Sequence, residues 1–185
     1  MAYCNTQTLA GLARDCESNQ GGIREAWIAG YQDSAFTLSE SGETMVTGFS
    51  SSGIPATFAH YTFKKDTGSF TSTLNVDNAN GVNYVSTEIN LVFSRMETLK
   101  RAEIAALSLS DIMMVVKDSN GKYWAFGAEE PINASAASGE TGVARGDANR
   151  YSITLLDNMK TWPYELNATA IAALLADARE PSNAS

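Results

Sequence analysis

Residues 84–126 constrain the fold more than any other part of the chain, because their pattern changes from strand to helix and back. In residues 85–93 an apolar residue or a threonine stands at every second position, the period of a strand with one buried face. Residues 112–116 are apolar throughout, which predicts a strand buried on both faces. Asn120-Gly121 tolerates the positive φ angles of a tight turn, and so predicts a hairpin with Tyr123–Phe126 as its second strand.

A helix is expected between these strands. Ser94 and Glu97 have the spacing of a capping box, in which the hydroxyl and the carboxylate each bind a free amide at the helix start. Lys100 and Glu103 interrupt the apolar side, so the buried face should be narrow. That side is expected to consist of Met96, Leu99, Ala106 and Leu107.

The rest of the chain reads mostly as further strands. The predicted fold class is mainly β, of the α+β type: an antiparallel β-sandwich or partly closed barrel with one packed flanking helix and a C-terminal helix. Asn167 can cap that last helix, whose apolar positions are Ile171, Leu174, Leu175 and Ala178. The further strands are expected at Ile23–Tyr31, Ala35–Leu38, Glu43–Gly48, Thr57–Phe63, Phe70–Val76 and Tyr151–Leu155.

Three parts of the chain are predicted from these patterns. Residues 1–22 form an N-terminal arm, residues 23–165 the β-sandwich domain, and residues 166–185 the C-terminal helix and a loose tail. Within the domain, residues 128–150 are rich in Gly, Ala and Ser and have no apolar period, so they are expected to form a long loop. Loops of this length inside a domain are usually functional or mobile.

Composition excludes several classes of protein. With 13 basic and 21 acidic residues the net charge is −8, so the chain lacks the overall basic charge of a nucleic-acid-binding protein. No signal peptide is recognised, and no apolar run approaches the roughly 20 residues of a membrane helix. Cys4 and Cys16 could pair, but the chain has no other cysteine, and reduced thiols are the default.

The sequence predicts no catalytic, cofactor-binding or metal-binding residue, and the chain is not expected to be an enzyme. His60 is the one histidine and lies within a predicted strand, where a structural role is expected. It cannot form a zinc site with Cys4 and Cys16 at useful spacing. The adjacent Glu129-Glu130 pair is expected in a solvated turn. Four aromatic residues could form a sugar-stacking platform, although core packing is expected for each: Tyr123, Trp124, Trp162 and Tyr164.

Several turn and strand motifs carry a resemblance to a known family. Gly21-Gly22-Ile23 opens the first strand, Lys117–Trp124 forms the central hairpin, and Gly127 follows it; Thr141-Gly142, Gly146-Asp147 and Tyr151 lead into the last long strand. In this layout, over about residues 15–165, the chain resembles tail tube proteins of long-tailed bacteriophages, in particular virion structural proteins of phages infecting Bacteroidota and marine bacteria. The two cysteines and the C-terminal helix depart from that pattern.

The resemblance implies a structural subunit of the virion tail, made in the cytoplasm of the bacterial host. Such proteins form homo-oligomeric rings, usually hexameric, which stack into a tube and contact other tail or neck proteins. DNA passes through without specific binding, and no membrane is involved. The loop 128–150 and the N-terminal arm would contact the next ring. Two alternatives remain open: another virion component (a head decoration, head–tail ring or collar protein) and a carbohydrate-binding β-sandwich.

Overall fold

A five-stranded antiparallel sheet, here called the middle sheet, forms the central layer of the fold. The computed structural model describes residues 18–39, 45–50 and 58–179, and the account below concerns these residues. In spatial order the middle sheet contains β11 (Tyr164–Glu165), β8 (Tyr123–Phe126), β7 (Ile112–Asp118), β1 (Ile23–Gly30) and β4 (Ala59–Thr62). The Asn120-Gly121 turn joins β7 to β8 as predicted, with Gly121 at a φ of 84°.

A second antiparallel sheet of four strands, here called the outer sheet, covers one face of the middle sheet. Its spatial order is β5 (Gly68–Asp77), β6 (Val82–Ser94), β10 (Arg150–Met159) and β9 (Asn133–Glu140). Every second residue of β6 and β10 points inward, including Ile89, Leu91, Ile153 and Leu155, which are fully buried. They pack with Ile28, Met114, Val116 and Phe126 of the middle sheet in one apolar cluster.

The other face of the middle sheet is covered by a short hairpin and a helix. The hairpin pairs β2 (Phe36–Leu38) with β3 (Val46–Phe49), and α2 (Ala168–Asp177) lies beside β3. Trp27, Met113 and Val115 point to this side and pack with Ala170 and Leu174 of the helix. β7 is therefore buried on both faces, as predicted from its continuous apolar run. The mainly β, sandwich-like fold with two helices is confirmed.

The predicted capping box is wrong. Ser94 still belongs to β6, where it is paired with Arg150, and Arg95 then adopts a φ of 66° that turns the chain. α1 (Thr98–Leu109) consequently begins later, with Glu97 at the N-cap and no side-chain hydrogen bond capping it. The Glu97 carboxylate instead lies 3.3 Å from Lys100 Nζ and 3.1 Å from Arg95 Nε.

The buried side of α1 also differs from the prediction. Ile104 and Leu107 are the buried residues of this helix, and they join the cluster between the two sheets. Leu99, expected on the buried side, is 56% exposed, and Ala106 is exposed as well. α1 connects β6 of the outer sheet to β7 of the middle sheet and packs beside β9. This position determines which residues of the helix face the core, and it differs from the position that the sequence pattern indicated.

The predicted long loop 128–150 contains a strand in its middle. β9 occupies Asn133–Glu140 and pairs with β10 from Asn133↔Leu156 to Glu140↔Arg150. Only a tight connection follows, in which one Asp147 oxygen accepts the amides of Val143 and Ala144, each at 2.7 Å. Backbone pairing makes this strand, and its Ala, Ser and Gly side chains carry no apolar period that could have indicated it.

Two predictions concern the ends of the chain. Asn167 does cap α2, because its Oδ1 accepts the amide of Ala170 at 2.8 Å. The N-terminal arm is described only from residue 18, where Asn120 binds it through Asn19 and Gln20. Most of the arm, Cys4, Cys16 and the tail from residue 180 lie outside the described residues.

The two caps give a paired test. Replacing Asn167→Ala leaves the Ala170 amide without its acceptor and should lower the free energy of unfolding by about 1 kcal/mol. The matched control, Ser94→Ala, removes a hydroxyl that caps nothing and should change stability by less than about 0.5 kcal/mol. Urea unfolding monitored by circular dichroism measures both; equal losses would contradict the assignment of the helix starts.

Candidate assembly surfaces

The outer sheet is open at both edges. Within the part of the chain that the structure describes, no strand pairs with the outer side of β5 or of β9. Each edge therefore presents alternate amides and carbonyls that no other described strand of the chain binds. The middle sheet is different at β4, because Arg179 forms a bridge to Ala59 and the C-terminal segment thereby covers the end of that strand.

β5 is a long and regular edge. Its ten residues pair with β6 from Gly68↔Leu91 to Asp77↔Val82 without a register shift. Natural edge strands are commonly blunted by lysine, proline, bulges or short length, and β5 contains none of these features. Thr71 and Thr73 on its outward face are short and exposed, so another strand can approach.

β9 is an edge of small side chains. It contains only Asn, Ala, Ser, Gly and a final Glu, with one register shift opposite Thr154 and Leu155. A Cβ at Gly139 would lie 2.7 Å from the Tyr151 ring, so glycine lets this tyrosine cross the strand. The Ser138 and Ser152 hydroxyls are 2.8 Å apart, tying β9 to β10. One edge of β9 is therefore paired with β10, and the small side chains of the strand leave its other edge accessible.

The β5–β6 hairpin projects beyond the sandwich. β10 ends where Met159 pairs with Val85, and three further pairs, Asn75↔Tyr84 to Asp77↔Val82, have no third strand beside them. This projecting hairpin, residues 74–84, carries four of the large exposed apolar side chains: Leu74 (44% exposed), Val76 (55%), Val82 (43%) and Tyr84 (39%). Leu74 and Val76 continue the inward-facing row of β5 past the end of the core.

The projecting hairpin nevertheless has a defined turn. Asp77 Oδ1 accepts the amides of Ala79 and Asn80 at 3.0 and 3.3 Å, and its Oδ2 accepts the Asn80 side chain at 2.6 Å. The Asn80 side chain and the two amides hold the pKa of Asp77 below its ordinary value. Gly81, at a φ of 65°, completes the turn. The exposed apolar groups are therefore held on an ordered element.

His60 lies in β4, as its position in a predicted strand indicated. Its ring stacks on Trp27 at 4.8 Å between centroids, and its Nε2 is 2.9 Å from Glu25. Glu25 also binds Lys117 at 2.8 Å. Burial raises the pKa of Glu25, but its hydrogen bonds to Lys117 and His60 outweigh burial and leave it lowered. The three groups form a cross-strand ion network on β7, β1 and β4.

The acidic and aromatic residues named from the sequence do not form one site. Glu129 accepts the Tyr164 hydroxyl at 3.1 Å and the Lys160 amide at 3.0 Å, and Glu130 is exposed. Tyr123 and Tyr164 are buried in the core, as expected. Trp124 is half-buried with its Nε1 on Asp118, whereas Trp162 is 55% exposed, so core packing is wrong for Trp162.

Asp157 is a buried carboxyl that the sequence pattern did not reveal. It lies on the inward face of β10 with 1% of its surface exposed, and its Oδ2 accepts the Gly127 amide at 3.2 Å. Its Oδ1 has no hydrogen-bond partner among the described residues. Burial raises the pKa of Asp157 to about 6; the Gly127 amide opposes this, and the charges of Glu129 and Glu130 add to it.

The described residues lack two features that would indicate other functions, a metal-binding cluster and a membrane-spanning helix. They contain no group of three or more His, Cys, Asp or Glu that could hold a metal ion. No helix among them is long and apolar enough to cross a membrane. An open groove of about 610 Å³ lies on the outward face of the outer sheet, where β5 begins; its lining includes Asp66, Ser69, Asn90, Val92 and Arg150.

Asp157 predicts a specific dependence of stability on pH. Its pKa is about 6 when folded against 3.8 when unfolded, so its destabilising effect is absent below pH 4 and grows as the pH rises to about 6. Asp157→Asn keeps an acceptor for Gly127 and should gain up to about 3 kcal/mol over the wild type at pH 7.5. At pH 4 the gain should vanish. A gain independent of pH, measured by urea unfolding, would contradict this.

Comparisons with known proteins found no relative: no protein-family model, no curated protein and no solved structure matches this chain. The inference of function therefore starts from the open edges, the projecting hairpin and the charge distribution of the outer sheet.

Proposed function

We propose that the protein is a structural subunit that assembles with copies of itself into stacked rings forming the tube of a bacteriophage tail. The observation that carries the proposal is the outer sheet with two open edges, one of which has none of the usual features that block pairing. Strand addition at such an edge gains backbone hydrogen bonds and needs no preformed pocket. The resemblance to tail tube proteins suggests that this pairing builds rings that stack into a tube.

In the proposed ring, β5 of one copy pairs with β9 of the next. The two edges lie on opposite sides of one sheet, so the contact is head-to-tail, and repeating it closes a ring when the rotation between subunits permits. The low side chains of β9 allow the close approach that pairing requires. A closed ring leaves no outer-sheet edge free, which accounts for the lack of blunting on β5.

The outward face of the outer sheet is suited to a channel for DNA. The four strands of this sheet contain one basic residue, Arg150, and its guanidinium is paired with Glu140. Otherwise this face carries mainly Ser, Thr and Asn side chains, with Glu88 among them. Contacts from lysine and arginine to phosphates are what retain DNA on a protein, so a channel lined by this face would let it slide.

Assembly of the purified protein tests the proposal. Light scattering over a range of concentrations should give a mass that rises to multiples of one ring, and electron microscopy should show stacked rings or tubes. Single rings that never stack would favour a head–tail ring or collar protein of the same virion. A persistent monomer at the highest concentrations would refute assembly, and a monomer that binds glycans through Trp162 would favour the carbohydrate-binding alternative.

A lysine on the β5 edge should block ring formation. Thr71→Lys places a charged, bulky side chain on the exposed edge strand, where pairing with β9 of a neighbour would have to accommodate it. The matched control is Asn158→Lys, which adds the same charge on β10, an inner strand of the same sheet with an exposed side chain. Thr71→Lys should lower the scattering mass to that of a monomer and Asn158→Lys should not. Equal behaviour of the two variants would exclude β5 as the edge that pairs.

A further inference from the structure

We infer that the projecting hairpin of one copy docks into the polar groove of a second copy of this chain, and that this contact stacks one ring on the next. The inference rests on the proposed function, and it assigns the stacking contact to residues outside the strand edges. It differs from the stacking contact expected at residues 128–150, where Asn133–Glu140 is already paired with β10.

The hairpin and the groove lie at opposite ends of the same strand. β5 begins at Gly68, which lines the groove, and ends at Asp77, which starts the turn of the hairpin. Ten residues at about 3.3 Å each separate the two features by about 30 Å along the strand direction. A second copy displaced along that direction, and placed against the inward side of the hairpin, brings its groove to the hairpin of the first, and the same contact can repeat from copy to copy, as stacking requires.

The faces of the two features match. Leu74 and Val76 point to the inward side of the outer sheet, whereas the groove lies on the outward side, with Val92 among its lining residues. A hairpin that lies over the outward face of the next copy therefore directs Leu74 and Val76 at the lining of the groove. Docking covers side chains that are 44% and 55% exposed in one molecule, and burial of apolar surface is the main source of association energy.

The charges are complementary as well. Asp77 is the only charged residue of the hairpin, and its hydrogen bonds favour the ionised form. Arg150 is one of the lining residues of the groove. Lys64 and Lys65 are exposed and immediately precede Asp66, another lining residue, in the chain. Asp66 itself is acidic, and Glu140 is paired with Arg150, so Lys64 and Lys65 are the basic side chains that remain for Asp77. In a chain of net charge −8, these two lysines can attract the acidic turn of the hairpin.

Removing the apolar contact tests the stacking. The double variant Leu74→Ser/Val76→Ser changes side chains that are exposed in one molecule, so its thermal unfolding should match the wild type. Rings should still form, but the concentration at which tubes appear should rise at least about tenfold. The matched control is Leu109→Ser, which removes an 89% exposed leucine on α1 and should leave tubes unchanged. Electron microscopy and light scattering report rings and tubes separately.

The outcomes separate the two proposals. Tubes from the double variant at wild-type concentration would overturn the hairpin contact and leave ring assembly standing. Loss of single rings in the same variant would also overturn it, because the hairpin would then serve lateral pairing. A wild-type protein that never assembles would overturn both.

A cross-link gives a direct test of the same contact. Both cysteines are first replaced by serine, and chains carrying Ala79→Cys at the hairpin tip are mixed with chains carrying Ser69→Cys in the groove. Oxidation should yield a disulfide-linked dimer on a non-reducing gel. Chains with Leu109→Cys in place of Ser69→Cys are the control and should give less than a tenth of that yield. Equal yields, or no dimer from the first mixture, would exclude the contact.

Discussion

Burial of β1 and β7 on both of their faces is the interaction on which the rest of the structure depends. Trp27, Met113 and Val115 reach one side, and Ile28 and Met114 reach the other, so two separate apolar clusters share the same two strands. Each buried side chain of this size contributes about 1.5–3 kcal/mol. The middle sheet thus concentrates the stability of the domain, and the layers on either side need only one apolar face each.

Because β1 and β7 of the middle sheet are buried on both faces, the outer sheet needs to be apolar on one face only. Its inward face packs on the middle sheet, so its outward face can carry Ser, Thr and Asn and its two edges need no further strand from the described part of the chain. Even the inward face is apolar only as far as the core extends. Beyond Leu155 the buried row of β10 includes Asp157, and its β6 neighbour Thr87 is buried with its hydroxyl 2.8 Å from Ser72. One more buried apolar pair, Met159 and Val85, follows this polar band before the hairpin leaves the sandwich.

Most of the fold could be predicted from side-chain periodicity, and the exceptions have physical reasons. The alternation of apolar and polar residues predicted β6 and β10, and the Asn120-Gly121 turn predicted the hairpin between β7 and β8, because the side chains of these elements reflect which positions are buried or in a turn. β9 was not predicted, because its Ala, Ser and Gly side chains show no such pattern and its pairing is made by backbone groups. The start of α1 was misplaced because the left-handed backbone of Arg95 depends on the turn between sheets.

The candidate surfaces were only partly predictable, for a related reason. Alternation correctly placed Phe70, Ser72, Leu74 and Val76 on one face of β5, but a pattern along one strand does not show where the opposing layer ends. Leu74 and Val76 continue the apolar, inward-facing row of β5, but no opposing layer among the described residues covers them at that end of the strand. A long unblunted edge and exposed apolar side chains beside the turn of one hairpin both invite association. The proposed assembly would cover both features with copies of the same chain.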